Sequence, residues 1–233
     1  MKHFLTVLFA LLIMSSPVRA MDVQAAIDAL PSTGGVVEIP CGTHPNSGDR
    51  LTLKTNVVLR GEEVGCVKIP PVQYNVPTVR AWNVVIEDVT IDGSLASNLG
   101  STRIGIDLRE MTRANVRNVE ILNVSHCIVL ARFGTYYNSF YDVMCAYTNT
   151  GIEISEGANQ NYFWGGNFGS STANAIGIGI YTANGNVIMG TSLESSTTNQ
   201  GIVLTGDALN YTTAAGVRIE ATNWGTTIYK RFP

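Results

Sequence analysis

Asp107 and Glu153 hold the same place in two copies of a short pattern, Gly105-Ile106-Asp107-Leu108 and Gly151-Ile152-Glu153-Ile154. A copy between them, Cys127-Ile128-Val129-Leu130, puts Val129 at that place. Stacked as strands ~4.8 Å apart, the copies set the two acidic residues roughly 9.5 Å apart at the backbone, facing outward. That spacing suits a general acid and a general base with water between them, as in inverting glycoside hydrolysis. A solvated acidic surface is the plainer alternative. At the ends of the same strands Glu110, Arg132 and Glu156 align in alternating charge, with Arg109 nearby. Two readings fit: a structural charge ladder, or a site where Arg132 acts as base or clamps a uronate while Glu153 and Glu156 take calcium. His126 is one of two histidines beyond residue 20 and titrates near neutrality, so it joins the catalytic candidates. Its alternative is a turn residue with no role. Tyr136 and Tyr137 open a run of aromatics that continues through Phe140, Tyr141, Tyr147, Tyr162, Phe163 and Trp164. Exposed members of such a run stack on sugar rings, and buried ones fill a core.

The elements that must position these residues follow from the repeat. Further copies begin at Gly177, Gly201 and Gly225, so the successive offsets are 22, 24, 26, 24 and 24 residues. Asparagines at 56, 83, 115, 138, 161 and 186 open a second strand in each unit, and a third strand follows, as in Val89-Thr90-Ile91 and Val119-Glu120-Ile121. A unit of about 24 residues with three short strands cannot bury its apolar side alone, so each copy must stack on the next. The expectation is an all-β parallel β-helix with Ile106, Leu108, Ile128, Leu130, Ile152 and Ile154 inward, and Asp107, Arg109, Glu153 and Ser155 facing solvent or a groove. The asparagines suit turns and stacked ladders.

Composition agrees and excludes other classes. Only 14% of the 233 residues are charged, 45% are hydrophobic, and 23 are glycine, which disfavours helical bundles and disorder. A net charge of −3 offers no basic field for nucleic acid. Lys2, the apolar run from Phe4 to Met14, Pro17 and Val18-Arg19-Ala20 read as a signal peptide over 1–20. The run is too short to span a bilayer, so a single exported domain over 21–233 is expected, secreted or periplasmic or at the cell surface, without membrane insertion. Its removal leaves 13 basic against 18 acidic residues. In an oxidising compartment Cys41 and Cys66, each beside an N-terminal strand, are expected to pair, and four free thiols are the alternative. Cys127 and Cys145 are read as core or turn residues rather than a second bridge.

Three segments carry a family resemblance: Asp22–Leu30, Gly34-Gly35-Val36-Val37-Glu38-Ile39-Pro40-Cys41-Gly42-Thr43, and Leu51-Thr52-Leu53-Lys54-Thr55-Asn56-Val57-Val58-Leu59-Arg60-Gly61. They resemble the opening of the right-handed parallel β-helix proteins of the pectate lyase-like superfamily: a cap helix, a first strand closed by a Pro-x-Gly turn, and a second closed by Leu-Arg-Gly. The resemblance implies a secreted protein that binds or acts on acidic polysaccharides, as a lyase using calcium or as a hydrolase using paired carboxylates. No cofactor is required by the residues themselves. The motifs of polygalacturonase-type hydrolases, Asn-x-Asp, Asp-Asp, Gly-His-Gly and Arg-x-Lys, are not intact, and Ser125-His126-Cys127-Ile128 stands where Asp-Asp-Cys-Ile would fit. The other class left open is a non-enzymatic tailspike-like or adhesin-like surface module. The final strand, Thr226 to Pro233, has no visible cover, and Lys230, Arg231 and Pro233 or a further subunit, as in a homotrimer, would protect it.

Overall fold

The structure is a computed structural model and describes residues 20–46, 48–75, 80–97, 103–195, 199–205, 212–221 and 224–231. Of the expected leader, only Ala20 lies within them. The strands coil into a parallel β-solenoid of about seven turns with ~24 residues per turn. Three ladders run along its axis. In the first, Val58, Val85, Asn115, Ser139, Tyr162, Val187 and Thr213 are in register on successive turns. In the second, Lys68, Thr90, Glu120, Met144, Asn167, Ser192 and Arg218 align. In the third, Leu51, Val72, Ile106, Ile128, Ile152, Ile178, Ile202 and Ile228 align. The expected repeat is thus the real one, and the inward isoleucines and leucines are fully buried from Leu51 to Ile180.

Alternation lets two faces share each strand, and corners come from residues with positive φ. At one corner Asn56, Asn83, Arg113, Tyr137 and Gln160 adopt that conformation on successive turns, and Gly185 continues the column. The asparagines expected to form one ladder therefore occupy two. Asn56 and Asn83 make the turn, whereas Asn138, Asn161 and Asn186 sit one residue later, fully buried, and link in series: Asn138 Nδ2 donates to Asn161 Oδ1 at 2.9 Å, and Asn161 Nδ2 to Asn186 Oδ1 at 3.0 Å. Asn115 belongs to neither column. Ala114 holds the ladder place on that turn, donating its N–H to Asn138 Oδ1, and Asn115 points outward beside Ser139.

The helix Val23–Ala29 covers the first turn, as expected, with Val23 and Ile27 buried. Asp22 caps its start by accepting from the Ala25 N–H, and Lys54 Nζ donates to the carbonyls of Ile27 and Asp28 at its end. Cys41 and Cys66 pair across adjacent turns. Cys127 and Cys145 pair as well, which corrects their reading as unbridged core residues. Both do point into the core, and their Cα atoms lie 6.1 Å apart from adjacent turns, within bonding reach. Among the described residues no helix is long and apolar enough to cross a membrane.

Candidate functional site

The outward face of the third ladder collects most of the residues expected to do chemistry. Thr52, Gln73, Asp107, Val129, Glu153 and Gly179 form one column in that order, so Asp107 and Glu153 are two turns apart with Val129 between them. Asp107 does not face open solvent, however; it is 1% exposed. Arg109 reaches back along its own strand, its Nε donating to Asp107 Oδ1 at 2.8 Å. Arg50, from the loop before the third strand of an earlier turn, donates from Nη1 to Oδ2 at 3.1 Å. Both carboxylate oxygens are therefore engaged and covered, which leaves Asp107 as the anchor of two guanidiniums rather than half of an open acid–base pair. Arg109 is held above the ordinary guanidinium value: burial opposes this, but the bond and charge of Asp107 outweigh it, with Glu156 and Glu153 adding to the effect.

Beside the column, Ile104, Val129 and Ala131 pack together as a small apolar cluster on the outside of the solenoid. It desolvates the neighbouring His126, whose side chain is 14% exposed. Burial lowers the imidazole's proton affinity below its ordinary range, while Glu153 and Asp107 pull the other way. Ser125 Oγ lies 3.0 Å from His126 Nδ1 and also within 2.9 Å of the Arg103 carbonyl. On the other side of the ring, His126 Nε2 lies 3.7 Å from Glu153 Oε2 and 3.4 Å from the Asn149 amide nitrogen. Tyr181, not foreseen from the sequence, lies back over Gly179, where any Cβ would meet its hydroxyl. Burial and the charge of Glu153 raise its phenol.

At the corner that ends this face, Glu110, Arg132, Glu156 and Thr182 stack on successive turns, all with positive φ. The expected charge ladder is therefore present in register, and these four residues with Phe133 and Gly157 line a depression of about 520 Å³. Arg132 Nη1 is buried there without a hydrogen-bond partner among the described residues. Glu153 and Glu156 share a turn, but among the described residues no group of three or more His, Cys, Asp or Glu side chains is placed to hold a metal ion.

At the next corner, the one turned by Arg113 and Tyr137, Tyr136 and Tyr137 meet edge to face, with centroids 5.1 Å apart. Arg80 stacks over Tyr136 at 5.3 Å and donates to its hydroxyl at 2.7 Å. With Trp82, Thr112 and Arg113 these residues line a recess of about 230 Å³. Trp82 and Tyr137 are 48% and 44% exposed. The rest of the aromatic run divides: Phe140 and Phe163 stack in the core and Tyr147 is buried, while Tyr141 and Trp164 stand outward on adjacent turns. Their column continues an ion ladder the sequence reading missed, Glu38, Arg60, Glu87 and Arg117, in which buried Glu87 pairs with both arginines. That ladder had a signal, steps of 22, 27 and 30 residues close to the period of the repeat, whereas Arg50 and Arg80 come from irregular segments with no spacing to mark them.

No protein-family model matches the chain, and no curated protein does. Solved structures do. A pectin methylesterase from Yersinia enterocolitica superposes with a TM-score of 0.58 at 11% identity, over 89% of this chain and 93% of its own. A pectin methylesterase in complex with a hexasaccharide gives 0.56 at 12%, over 82% and 75%. The catalytic domain of a GH87 α-1,3-glucanase in complex with nigerose gives 0.57 at 14%, over 88% of this chain and 44% of that one. At these identities the likeness establishes the right-handed parallel β-helix fold expected from the opening segments.

Proposed function

We propose, from a right-handed parallel β-helix bearing an arginine-rich, aromatic corner, that this protein binds an acidic polysaccharide across that corner and the adjoining third face. One observation carries the reading: the recess in which Arg80 and Arg113 share walls with Trp82, Tyr136 and Tyr137. A guanidinium meets a uronate carboxylate in bidentate fashion, and a flat ring meets the apolar face of a pyranose. The Arg80–Tyr136 contact holds the first guanidinium in place before any ligand arrives. Toward the third face Arg132, between Glu110 and Glu156 of the charge ladder, adds a guanidinium whose Nη1 has no hydrogen-bond partner among the described residues. Structural neighbours in complexes with a hexasaccharide and with nigerose lend support, as carbohydrate ligands on the same fold. Two disulfides support an extracellular setting, in which export through the expected leader places the protein.

The test is a binding panel of polygalacturonate, alginate and a neutral glucan, with unsaturated products and new reducing ends assayed in parallel, with and without calcium. Binding to the uronans and not to the neutral glucan is the expected result. Equal binding to all three, or to none, contradicts the proposal. A calcium-dependent unsaturated product assigns elimination and makes Arg132 and Glu153 the first residues to replace. Reducing ends alone assign hydrolysis, with half-buried Glu153 as the carboxylate to replace.

A further inference from the structure

Ser125, His126 and Glu153 stand in line outside the arginine and aromatic recess that carries the binding reading. The hydroxyl is 3.0 Å from one ring nitrogen and the carboxylate 3.7 Å from the other. That is the order of groups in a nucleophile, a base and an orienting acid. In the resting contacts Ser125 Oγ–H donates to the Arg103 carbonyl and the Asn149 amide faces Nε2, so attack requires the hydroxyl to turn from that carbonyl to an unprotonated Nδ1, with the ring proton on Nε2 toward Glu153. Ser125 also lines a surface depression of about 550 Å³ with Arg103, Asn123, Tyr147 and Thr148. A second, independent observation falls in the same place. Tyr147 is 3% exposed and its hydroxyl has no hydrogen-bond partner among the described residues, and neither has Arg103 Nε. Tyr147 points into the core, but Arg103 lines the same depression as the serine, and a buried donor without an acceptor there is what an oxyanion would satisfy.

We propose that Ser125 is the nucleophile of an esterase site that removes short O-acyl groups from sugar hydroxyls, the substrate class resting on the glycan-binding reading above. Ser125 Oγ attacks the acyl carbon as its proton passes to His126 Nδ1. The bond from that carbon to the sugar oxygen breaks, and the proton goes to the departing oxygen. Water then attacks the acyl-serine, gives a proton to Nδ1, and the carboxylic acid leaves as Ser125 regains its hydrogen. Arg103 Nε supplies a donor to the oxyanion in both steps. Glu153, on the following turn, positions the ring and supports its charged form; Asp107, on the preceding turn, is the other carboxylate facing His126.

The probes are p-nitrophenyl acetate and acetylated polygalacturonate, with the full protein. The expected result is nitrophenol and acetate release that falls at least about 100-fold in Ser125→Ala and His126→Asn, with uronan binding and circular dichroism unchanged. Because Ser125 also bonds the Arg103 carbonyl, folding is controlled independently: a fluorophosphonate should label Ser125 of the wild-type protein, read by peptide mass. Glu153→Gln should move the acid limb of kcat/KM to lower pH, since it removes a charge that favours the imidazolium. Absence of ester hydrolysis by the wild-type protein, full activity in Ser125→Ala, or labelling elsewhere overturns the proposal. Uronan binding without ester hydrolysis refutes the esterase alone, and hydrolysis of the small ester without uronan binding refutes the glycan reading alone.

Discussion

Burial pushes the Glu87 carboxyl upward, yet the hydrogen bonds it accepts from Arg60 and Arg117, together with their charges, outweigh this and hold it below its ordinary value of 4.5. A depressed folded value contributes stability that is present above 4.5 and is lost as pH falls through the folded value. Glu87→Gln should therefore cost about 1–2 kcal/mol near neutrality and nothing in strong acid, read from urea midpoints across pH. His126 has the same sign for a different cause. Desolvation lowers it, so its neutral form favours folding above the ordinary value of 6.5, and that contribution disappears as pH falls through the folded value. His126→Gln should flatten the stability profile between those two values, and a profile as steep as wild type would contradict the burial argument. At this scale the sequence was half legible. The shared column of Asp107 and Glu153 could be counted from the repeat. The clamp on Asp107 could not, because Arg50 arrives from an irregular loop 57 residues away in the chain.

The ladders and bridges between turns are where single substitutions should hurt most. Asn161 is fully buried, accepts from Asn138 and donates to Asn186, so its loss leaves unpaired groups on the turns both before and after it. Asn161→Ala should cost about 2–3 kcal/mol in a urea titration, whereas Asn115→Ala, on the outward face, should cost little. The Cys127–Cys145 bridge closes an 18-residue separation, and replacing both cysteines by alanine should cost about 3 kcal/mol. A period of about 24 residues was enough to foresee three strands per turn and the buried Ile and Leu columns, because alternation fixes which side each residue takes. It could not place Asn115 correctly. A turn one residue longer or shorter moves an asparagine from the ladder to the surface while barely changing the spacing. Nor could it pair Cys127 with Cys145, whose contact depends on which two faces meet inside the coil.

At the scale of the whole molecule, stacking turns builds surfaces that no single turn holds. Tyr136 comes from one turn and Arg80 with Trp82 from an earlier one, brought together because Ala81–Trp82 pairs with Met111–Thr112 and Thr112 bridges to Tyr136. The repeat thus foretold the solenoid, and Tyr136 and Tyr137 were visible as candidates, but their arginine partners belong to a corner whose path carries no period. The central claim is that this corner holds an acidic polysaccharide by guanidinium and ring contacts together. It is tested most directly by titrating wild-type protein, Arg113→Ala and Trp82→Ala with polygalacturonate calorimetrically at low and high salt. The account predicts at least tenfold weaker binding for each variant, with the salt dependence reduced in Arg113→Ala and retained in Trp82→Ala. Binding by both variants that matches wild type at every salt concentration would contradict it.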